Sequence, residues 1–420
     1  MAVIVGTASL ASLPVTGTES PPRLFSLDVL RGLAIALVMI RHFPPSDLHL
    51  PGMFEVVVQW VMSIGHVGVD LFFVLSGFLI SRLIYTEYDR TGGFDAVRFW
   101  LRRGFKIWPA YFAAYGGMTA LRVLWEFWRG EGARAGELLD AAACNAVFLQ
   151  NYLACERWSH SWSLAVEEHF YTVFAVLAGV LTWWAARKQL TGARAFKTVA
   201  WACVLAGVAA LLMRFYVVSP EYTHTTASIA YYRSHLRMDS LCYGVLLGYC
   251  VHYRIGGSLV PRIRWPFGFV ALVAGLAWPT LWTKGESFWF ESIGFTLIYL
   301  SFGFLVLGAA QRPDFGLAAP RVPRAMLRGV AWLGVYSYTI YLAHAILFGI
   351  PGVETLRQAV LGVSLPTFGA GFSLWLDRFA YLAASIGLGV ALSHVIERPF
   401  LRLRARLLPS RRRDFGLSVA

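Results

Sequence analysis

Apolar residues along this chain run in long continuous stretches rather than in alternation or heptads. They fall near 27–43, 67–84, 107–127, 138–153, 162–186, 197–218, 236–253, 266–283, 288–310, 329–350 and 373–396. A bilayer-crossing helix needs about 20 mostly apolar residues, so each stretch is a candidate crossing. The weakest is 138–153, which is short and carries Asp140, Asn145, Gln150 and Asn151. Polar backbone at membrane depth is tolerated only where protein shields it. That stretch is therefore expected to be re-entrant or extracytoplasmic, leaving about ten transmembrane helices. The pattern predicts an all-α polytopic membrane helix bundle.

Composition agrees. Of 420 residues, 57% are hydrophobic and only 15% charged, with a mean hydropathy of +0.57. A soluble domain carries about 25% charged residues, so a soluble globular protein is excluded. The formal charge of +13 is explained by its placement. Basic residues gather at Arg82 to Lys106, Arg187 to Lys197, Arg254 to Arg264, Arg312 to Arg328 and Arg398 to Arg413. With 138–153 set aside, two crossings separate each cluster from the next. Together with Arg23 these clusters hold 25 basic residues, while the intervening loops hold six (Arg129, Arg134, Arg157, Arg233, Lys284 and Arg357). Cytoplasmic loops collect Lys and Arg, so both termini are expected in the cytoplasm. The charge is a topology signal, with contact to anionic lipid at the basic tail, and no nucleic-acid partner is expected.

Residues 1–24 are expected to be a flexible tail, since no basic residue precedes Arg23 as a signal peptide would require. Residues 25–400 form one membrane domain and 401–420 a basic cytoplasmic tail. The five Cys have no metal-binding spacing, and no metal site is expected. Cys144 and Cys155 fall on the outer side and could pair. Cys203, Cys242 and Cys250 suit small core positions.

Ionisable residues inside a bilayer are expensive and mark sites by default. In the first helix Asp28 suits the N-terminal turn, and Arg31 and His42 follow eleven residues apart on nearly one face, about 16 Å along the axis. The bland alternatives are an Arg31 that snorkels and a His42 that merely lies at the interface. Asp70 opens the second helix near the level of His42. His160, Trp162 and Glu167 open the fourth, and Arg237 and Asp239 the sixth. Asp70 and Asp239 could simply favour a helix N-terminus, and Arg237 and Asp239 could pair across a turn. Convergence of four helices at one level is nevertheless what a polar site requires. On the inner side, Arg102, Arg103 and Lys106 suit either positive-inside charge or an anion site. His344 lies inside a later helix, and Glu397-Arg398-Pro399 ends the last. Ser76 reads as a packing position, because no base is placed beside it by spacing.

In this order the residues resemble the bacterial membrane-bound acyltransferase 3 family, which includes O-antigen and exopolysaccharide O-acetylases. The matching stretches are Leu27-Asp28-Val29-Leu30-Arg31-Gly32 with His42, Gly68 through Leu79, and Arg102/Arg103–Lys106–Pro109–Tyr111. They continue with His160-Ser161-Trp162-Ser163-Leu164-Ala165-Val166-Glu167, Arg237-Met238-Asp239, Tyr336 through His344, and Glu397-Arg398-Pro399. The resemblance covers about 25 to 400. Two departures are visible: Lys106 stands where the family more often has Arg, and His169 where Gln is commoner.

The resemblance implies an enzyme of the bacterial inner membrane that takes an acyl group, usually acetyl, from cytoplasmic acyl-CoA. The acceptor is a hydroxyl, usually of a sugar or glycan. No bound cofactor is implied. On this reading the donor's phosphates meet Arg102, Arg103 or Lys106, with Arg31 deeper. Substrate contacts extend to His160, Trp162, Arg237, Asp239 and His344. His42 is the general base, as a neutral imidazole suits that role, and Asp70 or Glu167 fixes its tautomer as the third member of a triad does. A second transfer step would need a separate extracytoplasmic transferase. The competing class is a transporter or flippase, but the broken helices in two matching halves that would support it are not evident.

Overall fold

A computed structural model describes residues 24–43, 53–153, 155, 160–218, 224–255, 288–311 and 321–409. The expected crossing at 266–283 and the tails at 1–23 and 410–420 lie outside the described residues. Among the described residues the chain is all-α, with no strand. The helices are α1 (Phe25–Arg41), α2 (Met53–Ile64), α3 (Val67–Thr91), α4 (Ala96–Tyr111), α5 (Gly117–Trp128), α6 (Gly132–Ala146), α7 (Ser161–Arg187) and α8 (Gly192–Val218). They continue as α9 (His224–Tyr232), α10 (Ser234–Arg237), α11 (Asp239–His252), α12 (Phe295–Gln311), α13 (Arg321–Val335), α14 (Ser337–Ile346), α15 (Val353–Leu392) and α16 (Arg398–Leu407).

Among the described residues, five helical stretches can cross a bilayer by length and composition: Val67–Thr91, Ser161–Arg187, Gly192–Val218, Phe290–Gln311 and Gly371–Leu407. This is a multi-pass membrane protein. The expected crossing at 329–350 is two pieces, because α13 and α14 meet at a non-helical turn at Tyr336. The expected loop at 44–66 contains α2, whose Met53, Val56, Val57 and Trp60 are exposed.

Helix α3 is the axis of the bundle. In its apolar window 72% of residues are buried, against 22% in α8, which turns Trp201, Leu205, Leu212 and Tyr216 outward. Between membrane helices the driving force is close packing, so small residues mark the crossings. A Cβ on Gly77 would run into the Leu241 carbonyl and one on Gly244 into the Val74 carbonyl, so α3 and α11 cross backbone to backbone. Gly32 and Gly334 do the same for α1 and α13, against the Val330 and Asp28 carbonyls. Gly65, just before α3, sits against the Leu37 carbonyl and the Arg41 side chain, which places the end of α1 and the start of α3 at one level.

That level is far from the basic cluster. Helix α3 is 25 residues long and therefore spans about 37 Å. It ends at Gly92, whose φ of 71° only glycine adopts freely. Asp95 then caps α4 by accepting the Arg98 N–H at 3.0 Å, and Arg98, Arg102, Arg103 and Lys106 follow as α4 runs back into the bundle. Pro109 removes a backbone donor in α4, and the chain continues through a π-helical turn at Phe112–Gly116 into α5.

Candidate active site

At the end of the bundle away from the basic cluster, three histidines meet. His42 caps the C-terminus of α1, His160 precedes α7 and His344 lies in α14. The ring centroids of His42 and His160 are 3.9 Å apart, those of His42 and His344 5.3 Å, and His160 and His344 stack at 5.0 Å. His42 Nδ1 donates to the Val38 carbonyl at 2.8 Å. His344 is 1% exposed.

His160 is held with φ 58°, a left-handed conformation that is uncommon outside glycine. The surrounding polar residues account for it. The Tyr341 hydroxyl donates to the His160 carbonyl at 3.0 Å and lies 2.7 Å from Ser163 Oγ. Gln150 Nε2 donates to the Ser161 carbonyl at 3.2 Å, and Asn151 Nδ2 to the Trp162 carbonyl at 2.8 Å. Ser161 Oγ donates to Asn145 Oδ1 at 3.1 Å, and a disulfide joins Cys144 to Cys155. The polar residues of 138–153 thus clamp the start of α7; Asn145, Gln150 and Asn151 are all buried. Composition marked them only as spoiling a crossing.

Two turns further along α7, Glu167 accepts from Ser76 Oγ at 2.9 Å and from the Tyr171 hydroxyl at 2.8 Å. The Arg103 guanidinium lies over the Tyr171 ring, 4.5 Å from its centre, and both Arg103 and Arg31 act electrostatically on Glu167. Arg31 pairs with Asp28 at 2.9 Å. A carboxylate therefore does sit beside Ser76, brought there from 91 residues away. Trp108 Nε1 donates to Glu168 Oε2 at 3.2 Å.

The expectation that Asp70 or Glu167 orients His42 is corrected. Glu167 is engaged by Ser76 and Tyr171, and Asp70 forms an ion pair with Arg237 at 2.7 Å. The backbone carbonyl of Val38 takes the orienting place. The alternative that Arg237 and Asp239 pair across a turn is not what the fold shows. Asp239 pairs with Arg214 at 2.8 Å, and Arg214 further donates to the Ser292 carbonyl at 3.0 Å and to Thr296 Oγ1 at 2.8 Å. These buried pairs tie α3, α8, α10, α11 and the segment before α12 together. Burying a charge is tolerable only with such partners. Arg214 was missed, although a lone Arg within the apolar stretch 197–218 was a visible signal. Trp162 links α7 to these pairs: its ring packs against Phe73 and Tyr231, and Arg237 lies 5.7 Å from its centre.

At the basic end, Lys106 forms an ion pair with Glu397, which also accepts from Ser393 Oγ at 2.8 Å. Arg102 donates to the Leu408 carbonyl at 2.6 Å, and Arg404 of α16 lies against Arg102. Arg398 donates to the Tyr336 hydroxyl at 2.7 Å. Besides the buried ion pairs of Asp70, Arg237 and Asp239, the fold draws candidates into three places. His42, His160 and His344 share one end. Arg31, Glu167 and Arg103 lie deeper, and Arg102 and Lys106 occupy the other end beside the last helix.

Residues 24–394 match the sequence profile of the acyltransferase-domain family, acyltransferase 3. The peptidoglycan O-acetyltransferase OatA of Listeria monocytogenes is 23% identical over 357 residues, which is 81% of this chain and 51% of that protein. The O-acetyltransferase OatA of Staphylococcus aureus is 32% identical over 176 residues, covering 38% of this chain and 25% of that protein. This chain thus spans at most about half the length of these relatives. No solved structure matches. With the profile covering nearly all of the membrane domain, the chain belongs to the acyltransferase 3 family.

Proposed function

We propose that this protein transfers an acyl group, acetyl in the first instance, from acyl-CoA to a hydroxyl of a sugar in a cell-surface glycan. One observation carries the mechanism: His42 Nδ1 is committed to the Val38 carbonyl, which leaves Nε2 as a free base at the end opposite the basic cluster. The charge distribution of 25 basic residues against six supports a cytoplasmic basic end in the bacterial inner membrane. The Cys144–Cys155 disulfide supports an oxidising compartment at the histidine end. The relatives' names support O-acetylation, and that of the Listeria protein suggests peptidoglycan as the first acceptor to try.

In this reading Arg102 receives the donor's phosphates at the cytoplasmic mouth, with Arg103 deeper. The thioester arm then reaches along Arg31 and Glu167 toward the histidines. His42 Nε2 removes the acceptor's hydroxyl proton as its oxygen attacks the thioester carbonyl. The tetrahedral intermediate collapses with cleavage of the C–S bond, and the leaving thiolate takes the proton back from His42. Ester and free CoA thiol are the products, in balance with the reactants. Purified protein in nanodiscs, supplied with acetyl-CoA and peptidoglycan or other glycan fragments, tests the reading through release of free thiol. Acceptor-dependent release that disappears in His42→Ala and Arg31→Ala supports it. Release that is independent of acceptor, or unchanged in both variants, overturns it.

A further inference from the structure

One ring nitrogen from each of His42, His160 and His344 lies within 4.8 Å of those of the other two. Neither ring nitrogen of His344 makes a well-formed hydrogen bond, although the residue is 1% exposed; the Ile340 and Tyr341 carbonyls lie beside the ring. Buried polar atoms are nearly always satisfied. A buried imidazole without a well-formed hydrogen bond, beside two others, therefore points to a group that the protein does not itself supply. The chemistry of the set identifies the group. Neutral imidazoles present lone pairs, and three of them form the open site that Zn2+ favours, with a fourth position left for water or a substrate oxygen. His42 already has the outer contact typical of a metal-binding histidine, its Nδ1–H donated to a backbone carbonyl. In a tetrahedral site with Zn–N near 2.0–2.1 Å the nitrogens stand about 3.3 Å apart, so the rings need close by about 1.5 Å at most.

We infer that the three-histidine cluster is a reversible binding site for Zn2+ or a similar divalent transition metal. Binding occupies the His42 Nε2 lone pair, so the metal inhibits acyl transfer. The site itself stands on geometry alone, whereas its inhibitory effect rests on the proposed role of His42 as base. The charge of Arg41 acts on both His42 and His160. It opposes a dication, which favours exchangeable binding over a permanent structural metal.

The test uses the full chain in nanodiscs, purified without a polyhistidine tag, and titrated with Co2+ while the visible absorption of tetrahedral cobalt is followed. Saturable binding, displaced by Zn2+ and weakened roughly tenfold or more in His160→Asn and in His344→Gln, is expected. Melting temperature and size-exclusion profile establish that each variant is folded; His160 precedes α7, so its variant keeps the test open if His344→Gln does not fold. No saturable cobalt signal, or an equal signal in the folded variants, overturns the site. Zinc should also inhibit thiol release, with chelation restoring it; stimulation by zinc overturns the inhibitory role. Cobalt binding without acyl transfer to any acceptor leaves the metal site standing and removes the proposed function.

Discussion

Val38 holds His42 in one tautomer. A carbonyl oxygen can only accept, so the nitrogen 2.8 Å from it, Nδ1, carries the proton and Nε2 is basic. The Val38 carbonyl lies in the last turn of α1, where helix carbonyls lack intrahelical partners, and the ring one turn later supplies the donor. Catalytic triads assign this task to a carboxylate. Here it belongs to the backbone, so no side-chain substitution removes it.

Removal of the ring removes the base. His42→Ala is expected to lower acceptor-dependent thiol release by about 10²–10⁴-fold, the usual contribution of general base catalysis. Acetyl-CoA binding and melting temperature should stay close to those of the parent. Near-normal turnover would take His42 out of the chemistry.

Lys106 tests whether the basic end is built for structure or for substrate. Its pairing with the buried carboxylate of Glu397 means that Lys106→Gln strands a charge. Breaking a fully buried pair costs about 3–5 kcal/mol, and the partial exposure of Lys106 reduces this to roughly 1–3 kcal/mol. A lower melting temperature is expected, with Lys106→Arg restoring it. A raised KM for acyl-CoA at unchanged melting temperature would instead make Lys106 a phosphate ligand.

The Asp70–Arg237 pair should behave as a unit. Both side chains are 1% exposed, and the Arg237 guanidinium also packs 3.6 Å from the Phe295 ring centre. Asp70→Asn or Arg237→Gln alone is expected to cost about 3–5 kcal/mol. The double variant should cost less than the sum of the two, as coupled partners do. Additive losses in thermal unfolding would show that the two side chains act separately.

The disulfide offers a measure of sidedness. A membrane-impermeant maleimide applied to spheroplasts should label Cys144 and Cys155 only after reduction, because the pair is oxidised in the fold. Loss of the cross-link should also reduce stability by about 3 kcal/mol, on the chain-entropy estimate for a loop of this length. Cys144→Ser is expected to lower transfer, through a less firmly held His160, while acyl-CoA binding is retained. Labelling that requires lysis would place the histidine end in the cytoplasm and reverse the orientation.

Apolar length and charge placement are properties of contiguous residues, and the sequence by itself determined what depends on them. The long helices at Val67–Thr91, Ser161–Arg187, Gly192–Val218 and Phe290–Gln311 lie where the apolar stretches predict, and the family resemblance was legible from short motifs. The break at Tyr336 was not legible, since apolar residues continue across it. The candidate site followed the same division. Residue types at one level could be listed from helix starts and ends, but their pairings could not. Asp70 and Arg237 are separated by 167 residues, and Ser76 and Glu167 by 91. Which buried charge neutralises which, and which rings touch, depends on how the helices cross. Those crossings are set by close backbone approach at Gly77 and Gly244, where the absence of a side chain, rather than the presence of one, determines the partner.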